Sequence, residues 1–248
     1  MDRGWLRWLA KTMAPGSDFH SPIFGRERLG AHERIPRHHH WDGYITVVLG
    51  GGYQEAGFAG RLNLAPGDVV VHRRLDAHLD HIGPGGAELV NLPLPPGLTL
   101  PTTFRVENPD ELARMAEASP LEAAHALRPN GDVTIQFDWP DRLALVLTAS
   151  NEQRLGQWAD GMGLAAETLS RGFRAAYGIT PAQFRAEVRA RRAMEMILQG
   201  DTSLASIAID CGYSDQPHFS RAIVGLTGKS PGRLRKSNSF KKGGHPPL

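Results

Sequence analysis

The last hundred residues contain the same unit twice. Leu155, Trp158, Ala159 and Met162 fall at i, i+3, i+4 and i+7, one face of a helix, and Leu204, Ile207, Ala208 and Cys211 fill the same template 49 residues later. Each run ends in glycine, Gly163 and Gly212, the residue that takes the left-handed conformation closing a helix. A one-residue insertion then makes the offset 50, at which Ser170-Arg171 matches Ser220-Arg221, Gly178 matches Gly228, Thr180-Pro181 matches Ser230-Pro231 and Arg185 matches Arg235. Apolar Leu169 and Phe173 meet Phe219 and Ile223. Composition does not produce that many identities at constant spacing. The unit is duplicated, and any fold for this chain must hold two copies of one helical supersecondary structure.

Each copy reads as helix, short glycine-containing turn and second helix. In the second helices the apolar positions face inward, which leaves Glu167, Thr168, Ser170, Arg171 and Arg174 outward in the first copy and Gln216, Pro217, Ser220 and Arg221 in the second. Hydroxyls, an amide and arginines can bond base edges and phosphates. A solvated face on a helical bundle would explain one such helix equally well, but not a repeated pair. Between the copies, Thr180-Pro181-Ala182-Gln183 reads as a capping box with proline at the first helical position, opening a helix to about Leu198. Eighteen residues at ~1.5 Å each span roughly 27 Å. A rod of that length could hold two recognition helices in successive major-groove segments about 34 Å apart. Arg185, Arg189, Arg191 and Arg192 on the rod are candidates for phosphate contact or for anchoring within the fold.

Charge divides the chain at the same place. Residues 1–149 hold 14 Lys and Arg against 18 Asp and Glu, whereas residues 150–248 hold 14 against 8. Nine of the eleven histidines lie at or before His125. A basic half joined to an acidic, histidine-rich half points to two tasks, one involving a polyanion, although that charge excess alone also suits an ordinary solvated surface. At 248 residues, 41% hydrophobic and 22% charged, the chain suits two globular domains and excludes collagen-like, coiled-coil and wholly disordered readings. No apolar run reaches the ~18 residues that a membrane span needs, and Met1–Ala14, interrupted by Arg3, Arg7 and Lys11, is a poor signal peptide. A lone cysteine, Cys211, excludes an internal disulfide framework and agrees with a cytoplasmic location. Its place on the apolar face of a helix predicts core packing rather than reactivity.

From about Phe19 to Pro96, short apolar runs such as Tyr44–Leu49, Val69–His72 and Leu89–Leu94 alternate with Gly and Pro turns, the pattern of an antiparallel sandwich or barrel. From Asn108 the pattern turns helical, with an interruption near Ser119-Pro120 and a further helix at Asp141–Ala149. The Trp5, Leu6, Trp8, Leu9 stretch reads as an arm packing on this half, and the Gly, Pro and Lys tail from Lys241 as frayed.

Residues 154–236 resemble the DNA-binding region of the AraC/XylS family of bacterial transcription regulators, through LAAETLSRGFRAAYG (Leu164–Gly178), TPAQFRAEVRARRA (Thr180–Ala193) and SLASIAIDCGYSDQPHFSRAIVGLTGKSPGRLR (Ser203–Arg235). The resemblance implies two homeodomain-like helix-turn-helix motifs on a connecting helix. It places the DNA-reading residues at Glu167, Thr168, Ser170, Arg171 and Arg174, then Gln216, Pro217, Ser220 and Arg221. The second motif departs from the family. Ala222-Ile223-Val224-Gly225-Leu226 stands where a basic, aromatic run is usual, and Pro217 cannot donate a hydrogen bond. The first motif is therefore expected to carry more of the sequence specificity.

Two stretches between residues 30 and 95 resemble cupin motifs. Gly60, Pro66-Gly67-Asp68 and His78 match the second, and His38-x-His40 with Tyr44 and Gly51 the first, Tyr44 replacing the family's metal-binding glutamate. Residues two apart on a strand share a face, so His38 and His40 can converge while His39 points away, and Asp42 shares their parity. A cupin-like barrel would bring His78 to them, and three imidazoles suit a divalent transition metal. An organic effector in the pocket is the alternative, and His72 and His81 rank below the three as ligands.

The expectation is an α+β two-domain chain: a cupin-like antiparallel β-barrel sensing an effector (1–107), connecting or dimerising helices (108–149), and an all-α double helix-turn-helix with a tail (150–248). Its partners would be double-stranded DNA, a small-molecule or metal effector and a second copy of the chain, with no catalytic role. A dioxygenase-like cupin metalloenzyme and a helical interaction module without DNA contact are the rival readings.

Overall fold

β-Branched and aliphatic runs between turns form eight strands: β1 (Phe19–His20), β2 (Gly25–Leu29), β3 (Arg34–His40), β4 (Tyr44–Gly57), β5 (Gly60–Leu64), β6 (Asp68–His72), β7 (Ala77–Pro93) and β8 (Thr103–Arg105). This is a computed structural model, which describes residues 19–20, 22–149, 153–200 and 202–236. The arm at Trp5–Leu9 and the tail from Lys241 lie outside the described residues. The strand order is β1-β3-β7-β4-β6-β8, with β2 also on β7 and β5 also on β4. β4 and β7 are the backbone of the sheet, antiparallel from Tyr44↔Pro93 to Ala56↔Leu79 with register shifts around Gly50–Tyr53. Gly51 sits there at φ +66°, and a Cβ on it would come within 2.1 Å of the Gly86 carbonyl oxygen. Glycine is what lets the two long strands bend past each other, so β4 pairs β6 with its first half and β5 with its second.

The closed, wholly antiparallel barrel expected from the sequence is not what forms. β1 pairs β3 in parallel, and the terminal strands β1 and β8 do not pair with each other among the described residues. β1 has two residues and β8 three, too few for a closing ladder. Helices α1 (Pro109–Ala118) and α2 (Pro120–Ala126) cover one face instead. Ser119 separates them, its Oγ accepting from the Glu122 N–H at 3.3 Å while Pro120 opens the second helix. Leu112, Ala113, Ala116, Ala123 and Ala124 share a core with Ile45, Val47, Val69, Val71, Val90 and Leu92. Residues of opposite parity on the same strands, among them Tyr44, Thr46 and His72, line a pocket.

The helical repeat takes the form that its spacing predicts. Helices α4 (Leu155–Gly161) and α5 (Ala166–Tyr177) have 7 and 12 residues, as do α7 (Leu204–Asp210) and α8 (Gln216–Thr227). Gly163, Gly178, Gly212 and Gly228 all have positive φ, between +65° and +76°, at equivalent ends. The rod α6 runs from Pro181 to Gln199, and α3 spans Trp139–Ala149. No described helix is long and apolar enough to cross a membrane.

The described residues form two compact units, those within 19–149 and 153–181 in one and those within 182–236 in the other. The first unit includes the sheet, α1–α3 and the first helix pair. Its α5 buries Leu169, Phe173 and Tyr177. The Tyr177 hydroxyl donates to Asp141 Oδ1 at 2.8 Å, and Arg61 of β5 donates to both Asp141 oxygens at 2.9 Å. Gly172 meets the Trp139 ring so closely that a Cβ would stand 2.4 Å from Cζ2. In the second unit Arg189 lies 4.5 Å over the Tyr213 ring and donates to the Gly212 carbonyl at 3.2 Å.

Candidate functional site

Two surfaces carry chemistry. The first is the outer face of the repeated second helices. Glu167, Thr168, Arg171 and Arg174 of α5 are exposed and Ser170 half-buried, and α8 repeats this with Gln216, Pro217 and Arg221 exposed and Ser220 half-buried. Inward, Leu169 and Phe173 are buried as are Phe219 and Ile223. The two helices start differently. Asp215 caps α8, its Oδ1 accepting from the His218 N–H at 2.6 Å, whereas Ala165 gives α5 no side-chain cap. The hydrogen bond from the His218 amide, first among several causes, holds the Asp215 carboxyl below its usual range. Cys211 is fully buried, 3.7 Å from Met196 Sδ, as its place on an apolar face implies. Of the rod arginines, Arg189 is an internal anchor and Arg191 pairs with Glu195 at 3.8 Å.

The second is a cavity of about 250 Å³ lined by residues of β2–β4, β6 and β7, including His38, His40, Tyr44, His72, His78 and Asp80. The three histidines named from sequence come together here, their ligand-type nitrogens within 4.8 Å of one another and their side chains buried. The β3–β7 register that pairs His38 with His78 does this. His38 Nδ1 lies 3.0 Å from the Pro36 carbonyl and His78 Nδ1 3.0 Å from Asp80 Oδ1, so both rings are oriented from behind. Tyr44, at the glutamate position of the resembled motif, puts its hydroxyl 3.2 Å from Nε2 of both His40 and His78. Asp42 is exposed and outside the pocket, and His81 is half-buried.

The sequence reading missed two members of the cluster, Glu55 and Asp80, and ranked a third, His72, below the histidines that it named. His72 stacks on Tyr44 with centroids 4.3 Å apart. Glu55 Oε2 stands 3.6 Å from His72 Nε2, and Asp80 lies opposite Glu55 across the β4–β7 ladder. Burial, then the Asp80 charge, pushes the Glu55 carboxyl well up, and burial raises Asp80 to about 7. Burial, with the neighbouring His78 and His38, pushes His72 down. The legible signal was parity: Tyr53 and Glu55 alternate inward on one strand, and Asp80 follows His78 by two on another.

A tandem helix-turn-helix with matched outward faces defines a class of DNA-binding domain. Residues 158–237 match the family described as "Helix-turn-helix domain". Among curated proteins, the chain is 30% identical over 102 residues to the HTH-type transcriptional regulator ArgR of Pseudomonas aeruginosa, covering 40% of this chain and 30% of that protein. It is 34% identical over 86 residues to the HTH-type transcriptional activator RhaS of Pectobacterium carotovorum, covering 35% of this chain and 31% of that one. The matches thus span less than a third of these relatives' length. Among solved structures, the C-terminal domain of AraT, a response regulator from Geobacillus stearothermophilus, aligns over 40% of this chain and 84% of that one at 24% identity and a TM-score of 0.37. Unsaturated fatty acid bound wild-type ToxT from Vibrio cholerae aligns over 86% of this chain and 94% of that one at 8% identity and a TM-score of 0.39. Residues 158–237 thus carry a helix-turn-helix domain, and over this segment the chain is similar to these transcription regulators.

Proposed function

We propose that this protein is a sequence-specific transcription regulator in which α5 and α8 read DNA and the histidine-lined pocket holds an effector. The observation that carries the reading is the repeat of outward chemistry: hydroxyl and arginine side by side at Ser170-Arg171 and again at Ser220-Arg221, on helices of equal length. Glu167, Thr168 and Arg174 flank the first pair and Gln216 and Pro217 the second. Arginine and glutamine make bidentate contacts with guanine and adenine edges, and the hydroxyls bond either base edges or phosphates. The names of the matched relatives, transcriptional regulators and activators, support a non-enzymatic role.

The half of the chain before residue 150 is then the sensor, built on a cupin-like sheet. Its pocket suits a small effector, either organic or a transition metal on His38, His40 and His78, whose imidazoles favour Zn, Fe, Ni or Cu. An effector that binds two arrangements of the chain unequally shifts how the DNA-reading helices are presented. Leu121 on α2 and Leu145 on α3, 50% and 44% exposed, support a homodimer through residues 108–149. Sedimentation showing only monomer at working concentration removes that dimer.

The test is a gel-shift titration on DNA selected from a random library. Arg171→Ala is expected to weaken binding more than Arg221→Ala, because the second motif lacks a basic run after its serine-arginine pair. Each lost bidentate base contact should cost about 1–3 kcal/mol. The reverse order refutes the ranking, and selection of no sequence at all refutes the regulator.

A further inference from the structure

Glu55 is the buried carboxyl that the regulator reading leaves unexplained. It lies across from Asp80 in the β4–β7 ladder, and like charges directly opposite repel. The two residues are 3% and 4% exposed. Their ion pairs among the described residues are with histidines, not with Lys or Arg. Glu55 Oε2 and His72 Nε2 are both buried without a hydrogen-bond partner, 3.6 Å apart. Glu55 Oε2 is also 3.8 Å from His78 Nδ1, which lies 3.0 Å from Asp80 Oδ1. Two buried carboxyl groups, and two buried polar atoms 3.6 Å apart without a hydrogen-bond partner, describe a place for a cation.

Resting on the reading of this pocket as the effector site, we propose that Glu55, His72 and His78 bind one divalent first-row transition-metal ion, with Asp80 beside His78. Ligand atoms ~2.0–2.2 Å from a tetrahedral ion stand roughly 3.4 Å from each other. The present separations of 3.6 and 3.8 Å therefore need little adjustment. The ion's two positive charges offset Glu55 directly, as a ligand, and Asp80 beside it. A neutral imidazole has one lone pair, so His78 serves one set at a time. When its Nδ1 ligates, it gives up its 3.0 Å contact with Asp80 Oδ1, and its Nε2–H donates to His40 Nε2, 2.9 Å away. The three-histidine alternative must instead break that contact and admit an ion where the Tyr44 hydroxyl lies 3.2 Å from both nitrogens.

The experiment uses the full chain, purified without a histidine tag, stripped with a chelator and titrated with Co²⁺ while the visible ligand-field bands are recorded. Wild type is expected to take up one equivalent. Glu55→Gln, which keeps the shape and removes the charge, and His72→Ala should weaken uptake by about 100-fold or more and alter the bands, whereas His38→Ala stays within about threefold. Should His72→Ala fail to fold, Glu55→Gln decides alone. Loss in His38→Ala with uptake retained in Glu55→Gln overturns the proposal, as does wild type that binds no Co²⁺. DNA retention measured on the same preparation separates the two readings. DNA bound by a protein that takes up no Co²⁺ sinks only the cation site, and Co²⁺ taken up by a protein that binds no DNA sinks only the regulator.

Discussion

Asp141, 1% exposed, accepts from Arg61 twice and from Tyr177 once, joining β5 to α3 and α5 in one buried network. Burial alone would raise its pKa, but the hydrogen bonds from Arg61, Asp138 and Tyr177 together hold it below its ordinary value. Removing one partner of a buried ion pair strands the other, so Asp141→Ala should cost about 3–5 kcal/mol and Tyr177→Phe about 1.5–3 kcal/mol in denaturant unfolding. The sign with pH follows from the lowered pKa. The contribution is fully present above the unfolded carboxyl's value and is lost as pH falls through the folded one. Wild type should therefore lose stability more steeply than Asp141→Asn on acidification below about pH 4, and equal acid profiles would contradict this. At this scale the sequence showed the three histidines, because two share a strand and the third ends a turn motif. It hid Glu55 and the Arg61–Asp141–Tyr177 network, whose members lie 80 and 36 positions apart and meet only through packing.

Among the elements, the helical repeat was almost wholly legible, since periodicity and terminal glycines are local signals and both copies obey them. The break between α1 and α2 was legible too, through Ser119 and Pro120. Ser119→Ala should cost about 1 kcal/mol, read as a lowered melting temperature, with no change taken as failure. Strand extents were less legible. β4 and β7 run to 14 and 17 residues through glycines that read as turns in sequence. Glycine ended the strand in the reading and bends it in the fold. Closure of the sheet was likewise beyond reach, since the edges depend on how long β1 and β8 become. At Gly172, where Trp139 leaves no room for a Cβ, Gly172→Ala should destabilise by about 1–3 kcal/mol. Hydrogen exchange should show it first as faster exchange in α5, with α8 unchanged.

For the molecule as a whole, composition divides the chain near residue 150 while compactness divides it at 181/182, because the first helix pair shares a unit with the sheet. The repeat describes ancestry and the units describe contacts. DNA reading by both copies, as proposed, predicts a steep fall of affinity with salt, log K against log salt having a slope of about −0.9 per phosphate neutralised. Arg171→Ala should weaken binding across salt concentrations without removing that slope. The central claim is that one chain reads DNA with two copies of one unit. Hydroxyl-radical footprinting on a selected site tests it most directly. Reading by both copies predicts two protected segments about one helical turn apart, with Arg171→Ala clearing one and Arg221→Ala the other. A single protected segment that both variants erase together would contradict it.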